Sequence, residues 1–236
     1  LAAGGQVVMT NPLYVGREIE YQWRDAGCEV AIVADFIFAQ RIQPIRDQLR
    51  IKHYIVASIP EYLGFPLNLL APLKLKRMKP PSYAKVRPEP TVHLFKALVE
   101  STPPNPPKVV VRPDDIAVLQ YTGGTTGVSK GAILTHRNLA VNCQSTIAWL
   151  HLTESADEVV LAALPFFHVF GMTLAMNFPV FAGCAVALVP NPRDIPAVIQ
   201  AVTKRRVTLF MGVPAMFAAL NNFPGIEKLD ISCVKS

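Results

Sequence analysis

The chain has 236 residues, of which 51% are hydrophobic, and it carries a formal net charge of +6. It is long enough to bury one large core or two small ones. No apolar stretch reaches the roughly 20 residues that a membrane-spanning helix needs. The first five residues also lack the basic flank and apolar run of a signal peptide.

The cysteines argue against a metal site or a redox motif, because they lie far apart and form no C-x-x-C pair. Reduced thiols in a cytoplasmic protein fit this usage best. The four are Cys28, Cys143, Cys184 and Cys233.

The first 57 residues alternate predicted strands with predicted helices. In chain order these are strand 6–9, helix 11–26, strand 29–34, helix 36–49 and strand 53–57. We expect the strand at 29–34 to be buried, and the helix at 36–49 to break at Pro44. This order predicts an α/β fold of mostly parallel sheets with helices on both faces. Such sheets bind ligands beyond the carboxyl ends of their strands.

Regular alternation stops between Pro60 and Pro113, an interval that holds twelve of the chain's 21 prolines. A short helix is predicted at 92–100, and 103–107 is predicted to be an extended linker. An apolar run at 62–73 is followed at once by six cations with no acid among them. These cations are Lys74, Lys76, Arg77, Lys79, Lys85 and Arg87.

Apolar residues beside such cations predict a surface that rests on an anionic membrane, peripheral to its inner face. The alternative is a packed excursion whose lysines are merely solvated, which the prolines favour because they prevent a long amphipathic helix. Nucleic-acid binding is not predicted, because aromatic and basic residues do not interleave.

A predicted strand at 116–119 runs into a loop of glycines, hydroxyls and one lysine. Glycines let backbone N–H groups approach an anion, while hydroxyls and Lys130 add donors and positive charge. The loop differs from the G-x-x-x-x-G-K-[ST] pattern, since Ser129 replaces the second glycine and Gly131 follows the lysine. A phosphate-binding loop is predicted, and a loop without a ligand is the alternative. Its residues are Tyr121, Thr122, Gly123, Gly124, Thr125, Thr126, Gly127, Val128, Ser129, Lys130 and Gly131.

Beyond the loop, strands and helices alternate again. The predicted elements are strand 131–134, helix 135–150, strand 159–164, helix 171–182, strand 185–189, helix 194–205, strand 207–211 and helix 214–222. The helix at 135–150 is predicted to bury Leu139, Cys143, Ile147 and Leu150. A polar break at 153–158 predicts a boundary between lobes.

Two stretches carry a resemblance to a known family. The sequence from Tyr121 to Asn138 resembles the AMP/ATP-binding signature of the adenylate-forming enzymes, and it is most similar to bacterial long-chain fatty acid–CoA ligases. The sequence from Leu164 to Gly171 resembles the Pro-x-x-His element of that family. Weaker matches lie at 7–14, 191–194 and 212–217, so the resemblance covers nearly the whole chain.

This resemblance implies an enzyme that activates a fatty acid with ATP and Mg²⁺ and passes the acyl group to coenzyme A. It implies that the loop and Lys130 hold the β- and γ-phosphates, and that His168 lies near the reacting carboxylate. Phe166, Phe167, Val213 and Met216 are the candidate lining of the acyl pocket. Taken alone, His168 fits an ordinary turn histidine better than a site residue, and the apolar residues are more typical of plain core.

The family also has later elements that this sequence does not contain. They are a Thr-Glu stretch whose glutamate binds magnesium, an acid for the ribose hydroxyls and a small domain with a catalytic lysine. We therefore expect a partial amino-terminal domain that is inactive alone. The first α/β lobe is predicted at 1–152, with a Pro-rich basic excursion at 60–112, and a truncated second lobe at 153–236. Open strand edges in such a partial domain predict self-association.

Two alternatives remain open. The chain could belong to an enzyme that adenylates an aryl or amino acid, because residues of the pocket floor are not recognised. It could also be a membrane-docking or interaction module with a degenerate loop.

Overall fold

The computed structural model describes residues 1–123, 129–152 and 157–235. The chain divides into two compact units: the first comprises Leu1–Val110 and Tyr121–Gly131, the second Val111–Gln120 and Ala132–Ser236. This division differs from the one predicted near residue 152, which stays a prediction. Residues 153–156 of the predicted polar break lie outside the described residues.

The strands and helices alternate along the chain, as predicted. The strands are β1 (Val7–Val8), β2 (Val30–Ala34), β3 (His53–Ala57), β4 (Val92–Leu94), β5 (Ile116–Thr122), β6 (Lys130–Thr135), β7 (Val159–Ala162) and β8 (Ala185–Leu188). The helices are α1 (Gly16–Asp25), α2 (Asp35–Ile37), α3 (Leu67–Arg77), α4 (Phe95–Ser101), α5 (His136–Trp149), α6 (Val169–Gly171), α7 (Phe178–Ala182), α8 (Ile195–Arg205) and α9 (Pro214–Asn221). Wider π-helical turns occupy Phe38–Ile42 and Met172–Asn177, and 3-10 turns occupy Gln43–Gln48, Ile59–Tyr62 and Ile226–Lys228.

A parallel sheet with strand order β2-β3-β4 organises the first unit. Its core packs around Ile19, Trp23, Phe38 and Tyr54. The prediction that β2 is buried was wrong, because alternate side chains of a strand point to opposite faces and Ile32 is 67% exposed. The α/β class with parallel pairing is confirmed.

Three helical segments of the first unit were predicted with different success. The break at Pro44 is confirmed, since helical structure changes there to a 3-10 turn. The single helix predicted at 92–100 was wrong. Its first three residues form β4, because β3 offers them a parallel partner strand. Helix α1 begins later than predicted because Asn11 Oδ1 accepts the Leu13 N–H in a turn.

The second unit contains the parallel pair β7-β8 and helices α5 to α9. The strand predicted at 207–211 was wrong, because the segment makes a single bridge between Val160 and Leu209. Helix α5 matches its prediction and is capped by Thr135, whose hydroxyl accepts the Asn138 N–H. Of its predicted buried face, only Cys143 is fully buried.

Strands β1, β5 and β6 form a third sheet, in which β5 and β6 are neighbours. The loop predicted to bind phosphate, called the phosphate-type loop below, connects these two strands in sequence. Among the residues described, none of the helices has the length and hydropathy to cross a bilayer.

Candidate functional site

The two ends of the phosphate-type loop are tied together in the first unit. Ser129 Oγ donates to the Thr122 carbonyl at 3.0 Å, and the Tyr21 hydroxyl donates to the Ser129 carbonyl at 3.1 Å. The loop members Gly124, Thr125, Thr126, Gly127 and Val128 lie outside the described residues, so their phosphate-binding role stays a prediction.

Tyr121 and Gly131 pack against each other at the base of this loop. A Cβ on Gly131 would lie 2.9 Å from the Tyr121 ring, so no larger residue fits without moving the ring. The Tyr121 hydroxyl donates to Asp25 Oδ2 at 2.5 Å. Burial and this hydrogen bond both raise the pKa of Tyr121, so it stays a neutral donor. Tyr121 therefore anchors the loop to α1 through its side chain. The sequence analysis predicted that this residue binds nucleotide, and that role stays a prediction.

Lys130 begins β6 with its side chain exposed, and Thr122 and Gly123 are exposed at the end of β5. Within the part of the chain that the structure describes, Lys130 forms no ion pair. Its exposed ammonium group can therefore pair with an anionic ligand without breaking an ion pair to any described residue.

His168 lies in the second unit, on the turn that follows β7, and it caps the helical segment that begins at Val169. Its Nδ1 accepts the Phe170 N–H at 3.3 Å, and its carbonyl accepts the Met172 N–H at 2.8 Å. Because Nδ1 acts as an acceptor, the neutral ring carries its proton on Nε2. The free edge of the ring is thus a hydrogen-bond donor.

Gly171 fixes the position of this turn. A Cβ on Gly171 would lie 2.3 Å from the Pro165 carbonyl oxygen. The helical segment can therefore pass over the turn only with glycine at this position. The close approach of Gly171 to the Pro165 carbonyl therefore helps to position His168, which lies between them in the sequence.

Gln120, the last residue of β5 in the second unit, contacts the same turn. It is 4% exposed, and its Nε2 donates to the Phe167 carbonyl at 3.0 Å. The strand that leads into the phosphate-type loop is thereby bonded to the turn that carries His168. Local sequence patterns do not indicate this contact, because the two residues lie 47 positions apart.

A cavity of about 470 Å³ opens beside His168. Its lining is apolar except for His168 and Arg193, and it includes the predicted pocket residues Phe167, Val213 and Met216. Phe166 instead lines an adjacent cavity of about 350 Å³. An apolar cavity with a few polar groups is typical of a small-molecule site.

Arg193 was not among the predicted site residues. It follows the carboxyl end of β8, as His168 follows that of the neighbouring β7. Asn191 Oδ1 accepts the Arg193 N–H at 3.2 Å, and Asp194 caps α8 by accepting the Ala197 N–H at 3.1 Å. No acidic side chain in the described part of the chain pairs with the Arg193 guanidinium. The flanking polar residues shape the loop, and among the described residues none competes with a ligand for an ion pair with this arginine.

The first unit carries a loop with an exposed lysine, and the second carries an apolar cavity with two basic groups. Each feature by itself is typical of a protein that binds small-molecule ligands. A family model described as "AMP-binding enzyme" matches residues 1–235, and the chain belongs to this family.

The chain is 37% identical over 239 residues to a long-chain-fatty-acid–CoA ligase of Bacillus subtilis (strain 168), covering all of this chain and 42% of that protein. It therefore spans less than half the length of this relative. The ATP-bound structure of MatB from Rhodopseudomonas palustris has 25% identity and a TM-score of 0.68, over 99% of this chain and 39% of that one.

A structure of the anthranilate CoA ligase AuaEII in complex with anthranoyl-AMP has 22% identity and a TM-score of 0.75. The match covers 97% of this chain and 39% of that chain, and it shows the shared fold. Across the described ranges, no group of three or more His, Cys, Asp or Glu residues could hold a metal ion.

Proposed function

We propose that this chain forms part of an AMP-forming acyl-CoA ligase, which activates a long-chain fatty acid with ATP and transfers the acyl group to coenzyme A. The observation that carries the proposal is the hydrogen bond from Gln120 to the Phe167 carbonyl. It joins the strand that enters the AMP-binding signature to the turn that presents His168 to an apolar cavity. We infer a long-chain fatty acid as the substrate from the similarity to the ligase of Bacillus subtilis.

In the first step a carboxylate oxygen attacks the α-phosphorus of ATP, and the bond to pyrophosphate breaks. Such a reaction needs little covalent chemistry from the protein, so positioning and charge neutralisation do most of the work. Lys130 would neutralise charge on the β- and γ-phosphates, assisted by the hydroxyls and N–H groups of the loop. Lys130 forms no ion pair with the residues that the structure describes, which supports this role.

The acid would place its apolar tail in the 470 Å³ cavity. Its carboxylate would then meet the two basic side chains of the lining, His168 and Arg193. The Nε2–H of His168 would donate to a carboxylate oxygen, while Phe170 holds the ring through Nδ1. A guanidinium is suited to the same task, because its fork of donors matches a carboxylate.

In the second step the coenzyme A thiolate attacks the acyl carbonyl carbon, and AMP leaves with the former carboxylate oxygen. Mg²⁺ would accompany the triphosphate and offset its charge, with its protein ligand supplied by the remainder of a longer protein. We assign no residue of this chain to coenzyme A.

The proposal also includes where the protein works. We propose a cytoplasmic protein that contacts an anionic membrane surface through its basic cluster at residues 74–87. Self-association through unpaired strand edges completes the proposed set of partners.

Acid-dependent exchange of pyrophosphate into ATP, measured in the full-length protein, tests the first step. Lys130→Ala should lower the exchange rate by about 10²–10³, the usual effect of losing one charge that stabilises the transition state. Lys130→Arg should restore part of it, and Lys204→Ala, at an exposed lysine on α8, serves as the control.

His168→Asn separates chemistry from folding. Asparagine can still cap the helix at residue 168, but it lacks the Nε2–H. We expect lost exchange with an unchanged melting temperature. Exchange with benzoates or amino acids but not fatty acids would assign the chain to another adenylating enzyme. The absence of exchange with every acid would instead support an interaction module.

A further inference from the structure

Helix α3 presents leucines to solvent in place of polar side chains. Every residue of α3 is described, and none is buried. The exposed fraction is 83% for Phe65, just before the helix, and 65% for Leu69. The other exposed apolar residues of this stretch are Leu67, Leu70 and Leu73. Large contiguous apolar patches are rare on soluble proteins and mark interaction sites.

The opposite face of α3 accounts for this arrangement. The partly covered residues are Asn68, Ala71, Pro72 and Leu75, which repeat at the spacing of one helix face. That face rests on the protein, so the leucines at intervening positions point outward. The prolines of this segment were expected to prevent a long amphipathic helix. The structure nevertheless contains an 11-residue helix with Pro72 inside it.

Six cations follow the leucines in sequence, within and beyond the last turn of α3. All of them are exposed, and none forms an ion pair within the described ranges. No acid interrupts them between residues 74 and 87. They are Lys74, Lys76, Arg77, Lys79, Lys85 and Arg87.

We propose that these leucines and Phe65 insert into the interfacial region of an anionic phospholipid bilayer, while the six cations bind its headgroups. We call these residues the α3 surface. The inference deepens the membrane contact of the proposed function by naming its apolar anchor. Apolar burial supplies affinity for any bilayer, and the cations add selectivity for anionic lipid.

Charge composition favours a bilayer over a protein partner. Four of the six cations are lysines, and lysine is depleted in protein–protein interfaces whereas arginine is enriched. Lysine stems can also lie along the apolar region while the ammonium groups reach the headgroups. A protein interface would more often surround apolar anchors with mixed charge.

Flotation with vesicles tests the α3 surface without requiring catalysis. The chain should float with phosphatidylcholine vesicles that contain 30% phosphatidylglycerol, and more weakly with pure phosphatidylcholine. Leu69→Ser/Leu73→Ser should reduce partitioning at least tenfold on both kinds of vesicle. The control Val180→Ser/Phe181→Ser, which removes two exposed apolar side chains from α7, should float like wild type.

A charge variant tests the second half of the proposal. Substituting Lys74, Lys76, Arg77 and Lys79 by glutamine should abolish the preference for anionic vesicles, at about fivefold per charge. Glutamine at Lys108, Lys204, Arg205 and Lys228 gives the same net charge and should leave the preference intact.

Three results would overturn the inference. They are absence of flotation, flotation that survives the leucine substitutions, and equal capture by neutral and anionic vesicles. A dimer that dissociates in sedimentation experiments when the leucines are substituted would also overturn it, because a second copy would then be the occupant. Normal flotation by a protein without pyrophosphate exchange would refute the ligase proposal and leave this one standing.

Discussion

Gly171→Ala should disrupt the turn that carries His168. The added Cβ would stand 2.3 Å from the Pro165 carbonyl oxygen and 2.8 Å from its carbon, well inside contact distance. Both neighbours are backbone atoms, so no side-chain rotation relieves the clash. The turn, the helical segment or both must move.

The size of the effect follows from two opposed contributions. Alanine is a better helix former than glycine by up to about 1 kcal/mol, which alone would stabilise the variant. Overpacking of this kind costs about 1–3 kcal/mol, and more when the clash involves backbone. We therefore expect a net loss of about 1–2 kcal/mol, or a fall in Tm of roughly 2–8 °C for a chain of this size.

Thermal unfolding followed by circular dichroism measures this change. Gly5→Ala is the matched control, because its Cβ would meet nothing within 4 Å. Since the moved turn displaces His168, pyrophosphate exchange by Gly171→Ala should also fall more than its Tm implies. A variant as stable and as active as wild type would refute the argument that close approach at Gly171 places the turn.

Three further predictions concern single contacts. Tyr121→Phe removes the hydroxyl bonded to α1 and should lower unfolding free energy by about 0.5–1.5 kcal/mol in urea titration; an unchanged midpoint would contradict this. Lys235→Gln leaves the Glu158 carboxylate buried without its 2.6 Å partner and should destabilise the fold by about 1–3 kcal/mol at pH 7. Arg193→Gln should raise the KM for fatty acid about tenfold and leave that for ATP unchanged, whereas Arg205→Gln should alter neither.

The effect of Lys235→Gln should depend on pH. Burial pushes the pKa of Glu158 upward, but hydrogen bonds from Lys235 and Thr208 outweigh it, so the pKa lies below its ordinary value of 4.5. A depressed pKa contributes stability above the unfolded-state value, and that contribution is lost as pH falls through the folded-state value. The difference between wild type and variant should therefore shrink below about pH 4.5. A constant difference down to pH 3 would exclude Glu158 as its source.

Sequence predicted best those elements whose signals are local. Helix α5 was placed almost to the residue, because Thr135 is an N-cap and apolar residues recur at helical spacing behind it. Strand β3 was placed at its observed bounds. The break at Pro44 follows from the chemistry of proline itself.

The errors arose where a distant segment decides the outcome. Val92 begins a strand because β3 pairs with it, although the local pattern favours a helix. Leu209 makes an isolated bridge to Val160, and the pairing does not extend into a strand. Periodicity within one segment carries no information about such pairings.

The candidate site was predictable to a similar extent. The motifs indicated His168 and Lys130, but the close approach at Gly171 and the bond from Gln120 exist only in the folded chain. Arg193 lies within the weak family match at 191–194, but nothing local in the sequence indicates that its side chain reaches a cavity. Its significance comes from sharing a cavity with His168 at the ends of two parallel strands.

Transfer of isotope from acid to nucleotide tests the proposed acyl-adenylate route most directly. A fatty acid labelled with ¹⁸O in its carboxylate is incubated with ATP, Mg²⁺, coenzyme A and the full-length protein, and the nucleotide product is analysed by mass spectrometry. Attack by the carboxylate on the α-phosphorus predicts AMP that carries one ¹⁸O atom, together with unlabelled pyrophosphate. Formation of ADP, or AMP without the label, would contradict the account.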